Sequence, residues 1–208
     1  MTPTWTTLRP AVETSVERVG RQLWLPLTSV VVVYLIDRVM DGARSRVAIG
    51  LLDEPGHLVT AALVLLAAVG GRRLAAAPVF TVAALAGAVL IDIDHIPLYA
   101  GVPHIADHGS RPYSHSLTTV LILLVLWLVT GRRWSVLAGA ATGVGLHLFR
   151  DVASGPGVML YWPVSTDEVR IPHAWYLALL LVIAVVATVR AVIAVRGRRA
   201  DEGINVPT

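Results

Sequence analysis

The chain has 208 residues, of which 55% are hydrophobic and 15% charged, and its formal net charge is +3. Its mean hydropathy of +0.69 excludes an ordinary soluble domain. The absence of cysteine excludes thiolate metal ligands and a cysteine nucleophile. All the positive side chains are arginines, and the Gly-Arg-Arg turns at 71–73 and 131–133 are interpreted as membrane-topology anchors. No nucleic-acid partner is therefore expected.

Six apolar segments predict an all-α fold, a polytopic transmembrane helical bundle with about five to six membrane helices. The segments are 22–36, 57–71, 74–91, 114–130, 134–150 and 174–195. The shorter ones end in Asp or His, which indicates that their ends line a pocket instead of facing lipid. We predict a cytoplasmic N-terminal arm at 1–21, a single integral-membrane catalytic domain at 22–199 and a flexible C-terminal tail at 200–208.

The arginines predict how the chain is oriented in a cell inner (plasma) membrane. With cytoplasmic termini, eleven of the 17 arginines lie on the cytoplasmic side, and the positive-inside rule favours that arrangement. All seven histidines then lie on the outer side, together with Asp92, Asp94 and Asp151. This pattern predicts a polar site that faces outward at one surface of the membrane.

Helix boundaries are predicted at the polar ends of the apolar segments. Pro55 and Gly56 indicate that the second helix opens at His57. Pro97 is expected to end the third helix, and the fourth is expected to open at 113–116. The second and fourth helices therefore begin at the outer face, whereas the third and fifth end there.

Histidines and carboxylates at these helix ends have spacings that suit a metal site. His147 and Asp151 are four residues apart, and Asp92 and His95 three apart, so each pair shares one helix face. The predicted ligands are His57, Asp92, Asp94, His95, His115, His147 and Asp151. This set exceeds what one tetrahedral zinc uses, so we expect one or two divalent ions. Zn²⁺ is favoured by the imidazoles, with Mn²⁺ or Mg²⁺ as alternatives.

An anion is expected beside the metal. The beginnings of the second and fourth helices would direct free N–H groups at the pocket, which favours a phosphate. Arg111 is predicted to clamp that anion, and Asp94 to be a ligand or a general base. A cation site and an anion site together are typical of metal-assisted phosphoester hydrolysis.

Other polar residues on this side are given ordinary roles. Three histidines are interpreted as solvated loop or interface residues: His104, His108 and His173. Two serines are interpreted as helix caps: Ser114 and Ser116. Arg150 is expected to extend to the membrane interface, and Asp37 to be a boundary charge.

In their order, these residues resemble the YdjM-like family of inner-membrane metal-dependent hydrolases. The matching elements are Gly56-His57, Ile91-Asp92-Ile93-Asp94-His95, Arg111 with Ser114-His115-Ser116-Leu117, and His147 with Asp151, Gly157 and Trp162-Pro163. The resemblance covers residues 56–163 and leaves the first and last apolar segments outside. It implies a membrane-embedded hydrolase that uses a metal.

The chain departs from the family pattern at three positions. Ile91 replaces a proline, and Pro112 replaces a glycine. Ser110 stands where the family has a histidine, so either one ligand is lost or His108 substitutes for it.

We therefore predict a divalent-metal-dependent hydrolase that cleaves a phosphoester of a membrane lipid or lipid-linked substrate at the outer membrane face. One alternative is lipid-diphosphate chemistry such as prenyl transfer or terpene cyclisation, for which carboxylate ligands and Mg²⁺ are typical. Another is a metal-ion transporter, which predicts ionisable groups deeper in the membrane and on both sides. The histidines favour hydrolysis.

Overall fold

The computed structural model describes residues 5–99, 102, 111–131 and 135–203. Its helices are α1 Trp5–Val19, α2 Leu25–Asp41, α3 Arg46–Ala68, α4 Gly71–Ala76, α5 Pro78–Leu90, α6 His95–Tyr99, α7 Leu117–Val129, α8 Ser135–Asp151 and α9 His173–Gly203. A 3-10 turn at Ile91–Asp94 joins α5 to α6. Within the described ranges, β pairing is limited to one isolated bridge between Val158 and Val169. The predicted all-α class is confirmed.

Three helical stretches are long and apolar enough to cross a membrane. They are Ala48–Ala68, Pro78–Leu98 and His173–Gly197, and α7 is a shorter apolar helix of 13 residues. Helices α2 and α8 have 17 residues each. All six predicted apolar segments coincide with helical structure, which agrees with a helical membrane bundle.

Helix α3 begins eleven residues earlier than predicted, at Arg46 and not at His57. Ser45 is its N-cap and accepts a hydrogen bond from the Ala48 N–H at 3.0 Å. Pro55 lies inside the helix, where proline costs about 3 kcal/mol, and the next residue, Gly56, lies directly against the guanidinium of Arg150. His57 is therefore a mid-helix residue, and the residues just before it, which the predicted start at His57 leaves outside the helix, are helical from Arg46 on.

Two further predicted boundaries move for local reasons. Pro97 does not end the third helix, because it lies in the first turn of α6, where a missing N–H costs little. Helix α7 begins at Leu117, after the predicted 113–116, with Ser116 as its N-cap. The segment predicted from residue 74 is divided in two, because α5 restarts with Pro78 in its first turn.

Helices α5 and α8 run parallel and touch along their backbones. A Cβ on Gly139 would lie 2.5 Å from the Phe80 carbonyl oxygen, and one on Gly143 would overlap that of Ala84. The two residues of each pair are 59 positions apart in the sequence. One helical turn further along, Ala88 and His147 have the same spacing, and the Nδ1 atom of His147 lies 2.9 Å from the Ala88 carbonyl oxygen. Small residues thus let the helices approach, as in membrane helix pairs generally. The contact carries both C-terminal ends to one place.

The rest of the bundle packs α3 between this pair and α9. A buried apolar cluster joins α2, α3 and α9 through Val33, Leu63, Tyr176 and Leu180. At the far end of α3, Arg190 of α9 donates to the Ala68 carbonyl oxygen at 2.5 Å. The predicted arm contains α1, and Gly20, the residue after this helix, closely approaches Gly71. The division into arm, domain and tail stays a prediction.

Candidate metal centre

All seven predicted metal ligands lie together at one end of the α5–α8 pair. They form two adjoining groups within which the ligand atoms are all less than 4.8 Å apart. The first group, called here the buried half, is His57, His147 and Asp151. The second, called here the rim half, is Asp92, Asp94, His95 and His115.

The buried half joins α3 to α8. The rings of His57 and His147 are stacked, with centroids 3.7 Å apart and planes within 8°. The Nε2 atoms of His57 and His147 lie 3.3 and 3.0 Å from the two carboxylate oxygens of Asp151. All three side chains are fully buried. Ligand atoms that share one tetrahedral zinc with bonds of ~2.1 Å lie about 3.4 Å apart, and these separations fit that spacing.

The hydrogen bond of His147 to the backbone decides which of its ring nitrogens faces the cluster. Its Nδ1 lies 2.9 Å from the Ala88 carbonyl oxygen, which can only accept, so Nδ1 donates that hydrogen bond. Nε2 then faces Asp151 and Asp92 Oδ1, the latter at 3.4 Å. Two carboxylates around this nitrogen favour a positive charge there, either a proton on Nε2 or a metal ion bound to it. A carbonyl that orients the second nitrogen is a usual feature of metal-binding histidines.

The rim half joins the 3-10 turn to the turn before α7. His115 Nε2 lies 2.8 Å from Asp92 Oδ1, and His95 Nδ1 lies 3.1 Å from Asp94 Oδ1. Ser114 donates a hydrogen bond to Asp94. The side chains of His95, Asp92 and Asp94 are 14%, 15% and 23% exposed, unlike those of the buried half. The rim half is therefore the part of the cluster that is open to solvent.

Asp92 and Asp151 connect the two halves. Asp92 Oδ1 faces His115 at 2.8 Å and His147 at 3.4 Å, while Asp151 Oδ2 faces His147 at 3.0 Å and His115 at 3.8 Å. These two carboxylates are also 59 residues apart, which continues the spacing of the α5–α8 contact by one turn. Carboxylates placed between two sets of imidazoles suit a pair of neighbouring ions.

The residues present fit a divalent metal. Several buried atoms of the cluster make no hydrogen bond in the described part of the chain, although some of them face an oppositely charged atom at 3.0 to 3.3 Å: both nitrogens of His57, His115 Nδ1, His147 Nε2, Asp94 Oδ1 and Asp151 Oδ1. Buried polar atoms without hydrogen bonds are unfavourable, and a cation among them would satisfy several at once. Imidazole and carboxylate donors together are typical ligands of Zn²⁺ and Mn²⁺.

Arg111 lies beside the cluster, as predicted, but two of its three nitrogens are engaged by the protein. Its Nη1 is 2.8 Å from Asp151 Oδ2, and its Nη2 donates to the Ser154 carbonyl oxygen at 3.3 Å. Its Nε is buried and has no hydrogen-bond partner among the described residues. Arg111 thus holds a ligand carboxylate, and its role as an anion clamp stays a prediction.

The predicted helix-end contribution to anion binding is largely wrong. The N-terminus of α3 lies at Arg46, so its free N–H groups are three helical turns from His57. At α7, the Leu117 N–H is taken by the Leu160 carbonyl oxygen at 2.9 Å. Ser116 is the backbone N-cap, but its side chain makes no cap bond, and Ser114 binds Asp94 instead of capping the helix.

Two sequence interpretations of charged residues are wrong. Arg150 does not extend to the interface, because it is fully buried and makes ion pairs at 2.6 Å with Asp37 and 2.7 Å with Asp53. Asp37 is accordingly a partner of a buried charge and not a boundary residue. His173 was interpreted as a solvated loop or interface residue, and its side chain is 39% exposed. It lies 3.3 Å from Asp37 and belongs to neither half. His104, His108 and Ser110 lie outside the described residues.

Sequence reasoning missed Asp53 and Glu54. Asp53 Oδ2 lies 3.5 Å from His57 Nε2, and the Glu54 carboxyl contacts Asp92, with one buried oxygen that lacks a hydrogen-bond partner in the described residues. The available signal was spacing, because Asp53 and His57 are four residues apart like His147 and Asp151. This spacing did not predict a shared helix face, because Pro55 and Gly56 indicated a loop before His57.

The comparisons with known proteins identify a family for the chain. No curated protein and no solved structure matches the chain. A family model, that of the YdjM inner membrane protein, matches residues 52–206. The match starts before Asp53 and runs through α9, so it extends beyond the 56–163 expected and includes the last apolar segment. With three quarters of its length matched, the chain belongs to the YdjM inner membrane protein family.

Proposed function

We propose that this membrane protein is a divalent-metal-dependent hydrolase that cleaves a phosphoester of a lipid or lipid-linked substrate. The observation that carries the proposal is the pairing of a fully buried His/Asp half with a partly exposed one that shares its carboxylates. A divalent ion bound there supplies Lewis acidity toward water and toward a phosphoryl oxygen. The histidine content favours Zn²⁺, with Mn²⁺ or Mg²⁺ as the other candidates and one or two ions.

The chain's own residues divide the remaining tasks. His57, His147 and Asp151 hold an ion away from solvent, and Asp92 and His115 hold the neighbouring position. Asp94, which is partly exposed and receives a hydrogen bond from Ser114, is a ligand or the general base toward the attacking water. Arg111 bridges the site between Asp151 and an incoming anion through its remaining N–H groups.

The position of the cluster supports an amphiphilic substrate. Asp92, Asp94 and His95 lie at the C-terminal end of the candidate span Pro78–Leu98, where a membrane helix reaches the surface of the bilayer.

The arginines at the far end of α3 support cytoplasmic termini and an outward-facing site. Because the chain has no cysteine, a membrane-impermeant maleimide tests this orientation. The exposed variant Thr166→Cys should react in intact cells and Thr14→Cys should not, and the reverse labelling would exclude an outward site.

Metal analysis of the detergent-purified protein is the direct test. Wild type should hold near-stoichiometric Zn²⁺ or Mn²⁺, and both His147→Ala and Asp151→Asn should lose most of it. His173→Ala is the matched control, because it removes a histidine that belongs to neither half.

Metal-loaded wild type should hydrolyse a phosphodiester such as bis-p-nitrophenyl phosphate, or phospholipid in mixed micelles, faster than His147→Ala. Folded wild type without metal affinity would contradict the metal site, and metal without phosphoesterase activity would contradict the reaction.

A further inference from the structure

A cavity of about 400 Å³ lies at the end of the bundle opposite the metal centre. It is found where α3 ends at Ala68 and α4 begins at Gly71, about three helical turns of α3 away from His57. Four parts of the chain line it: the C-terminal end of α1, the turn between α3 and α4, α4 itself and the second half of α9. The cavity is therefore a product of the tertiary fold, and it shares no residue with either half of the cluster.

Four arginines line this cavity, against a single carboxylate, that of Glu17. The arginines are Arg21, Arg72, Arg73 and Arg190. Arg21 pairs with Glu17 at 2.5 Å, whereas Arg190 donates through Nη1 to the backbone carbonyl oxygens at the end of α3. Arg72 and Arg73 are exposed and form no ion pair with any described residue. Three positive charges in the cavity walls thus have no neutralising carboxylate among the described residues.

A backbone contact between two glycines brings the arginines of α1 and α4 together. A Cβ on Gly20 would lie 2.8 Å from the Cα atom of Gly71, and one on Gly71 would lie 2.9 Å from that of Gly20. The end of α1 therefore packs directly on the start of α4, and the residues that follow the two glycines, Arg21 and Arg72, line the same cavity. The sequence interpretation of Arg72 and Arg73 as topology anchors explains the side of the membrane on which they lie, but not this convergence.

The cavity lies where the hydrocarbon of a bilayer gives way to water. The candidate span Ala48–Ala68 ends beside it, and Trp24, which is 61% exposed, follows the lining residue Gln22 by two positions. Exposed tryptophan is typical of this interface. Apolar side chains complete the wall, among them Leu66, Val69, Ala187 and Ala191. A wall that is partly cationic and partly apolar suits an anionic amphiphile better than a soluble anion.

We propose that this cavity binds the phosphate headgroup of an anionic phospholipid, with Arg72, Arg73 and Arg190 as its donors. Guanidinium groups bind phosphate oxygens through paired N–H groups, and basic pockets between membrane helices on the cytoplasmic side are typical lipid-headgroup sites. The site is separate from the proposed hydrolysis, because the metal centre lies at the other end of α3. A lipid bound here would join α1, α4 and α9.

Native mass spectrometry of the detergent-purified protein tests the proposal with phosphatidylglycerol and phosphatidylcholine of identical acyl chains. Wild type should bind phosphatidylglycerol about tenfold more tightly or better. Arg72→Gln and Arg73→Gln should each weaken that binding about fivefold, the contribution of one arginine near an anionic headgroup. Arg196→Gln is the matched control, because it removes an exposed arginine of α9 that does not line the cavity, and it should stay within about twofold of wild type. Equal binding of the two lipids, or equal losses in all three variants, would overturn the proposal.

A glycine pair separates a built cavity from positive charge alone. Gly20→Ala keeps every charge but should move α1 away from α4, and we expect it to weaken phosphatidylglycerol binding while the helix content by circular dichroism is unchanged. Gly197→Ala, with no atom within 4 Å of its new methyl group, should bind as wild type. Wild-type affinity in Gly20→Ala would show that charge alone attracts the lipid and would overturn the cavity as its site.

Competition with glycerol phosphate distinguishes a lipid from a soluble phosphate. Glycerol phosphate at the concentration of the lipid should displace little phosphatidylglycerol, because it makes no contact with the apolar wall. Displacement of half the lipid under these conditions would assign the cavity to a soluble phosphate and overturn the lipid assignment. None of these outcomes bears on the metal centre.

Discussion

The two halves of the cluster use the same residue types in different surroundings. In the buried half, all three side chains are inaccessible, and His147 is oriented by a backbone carbonyl. In the rim half, three of the four side chains are partly exposed, and the orienting partner of Asp94 is the Ser114 hydroxyl. Closed sites retain their metal, whereas catalytic sites keep a position open to water and substrate. Under the proposed function, the buried half would retain its ion and the rim half would hold the ion that meets a substrate.

The largest expected effect comes from separating α5 and α8, because both halves depend on that contact. Gly143→Ala would force a methyl group into the Ala84 carbonyl and should lower the free energy of unfolding by about 1–3 kcal/mol or more. Metal should be lost from both halves together. Gly145→Ala, on the same helix with no atom within 4 Å of the new methyl, is the control and should be neutral or stabilising. Thermal unfolding in detergent with metal analysis measures both effects, and selective loss from one half would contradict a shared support.

A rim ligand should affect only one ion. In wild type, a chelator such as EDTA should remove metal in a fast and a slow phase, from the rim half and the buried half respectively. His95→Ala should abolish the fast phase, leave the slow phase within a few-fold and remove phosphoesterase activity. An ion in the rim half should exchange faster because the side chains around it are partly exposed. Stopped-flow chelation with a chromogenic dye follows both phases, and a single phase in wild type would count against two separable ions.

The smallest effect is expected at Ser114, which touches a rim ligand without being one. Ser114→Ala removes the hydrogen bond to Asp94 and should weaken the rim ion by about tenfold at most. The slow chelation phase should keep its wild-type rate, because the hydroxyl of Ser114 bonds to Asp94 of the rim half. Ser165→Ala is the matched control, because it removes a serine hydroxyl that bonds to Asp167, which belongs to neither half. An altered slow phase would show that the halves are more strongly coupled than their distances indicate.

Much of the site could be predicted from the order of polar residues along an apolar chain. Charged groups in membrane segments are costly, so Asp92 and Asp151 had to have partners, and their positions at the ends of apolar segments placed those partners on one side. The i,i+4 spacing of His147 and Asp151 was enough to predict a shared helix face, and the two side chains do lie 3.0 Å apart. The family resemblance depended on the same residues.

The misplaced start of α3 and the omission of Asp53 and Glu54 have a common origin at Pro55 and Gly56. Both residues normally interrupt a helix, so the pattern favoured a loop and left Asp53 and Glu54 out of the site. In the folded protein, Gly56 is required because the buried Arg150 passes over it, and α3 continues through the proline. A contact between residues almost a hundred positions apart outweighed a local preference, and no local signal reports such a contact.

The order of polar residues along the apolar chain was sufficient to predict the all-α membrane character, the seven clustered residues and their common end of the bundle. Apolar length and the cost of unpaired polar groups in lipid dictate those features locally. The division of the cluster into a buried half and a rim half, and the interior position of Arg150 beside Asp37 and Asp53, could be seen in the folded structure alone. Those assignments depend on the 59-residue offset between the parallel helices α5 and α8 and on the passage of α3 beside them. Packing between distant segments determines how deeply each side chain is buried. Burial therefore distinguishes histidines and aspartates of the two halves that the sequence pattern alone does not distinguish.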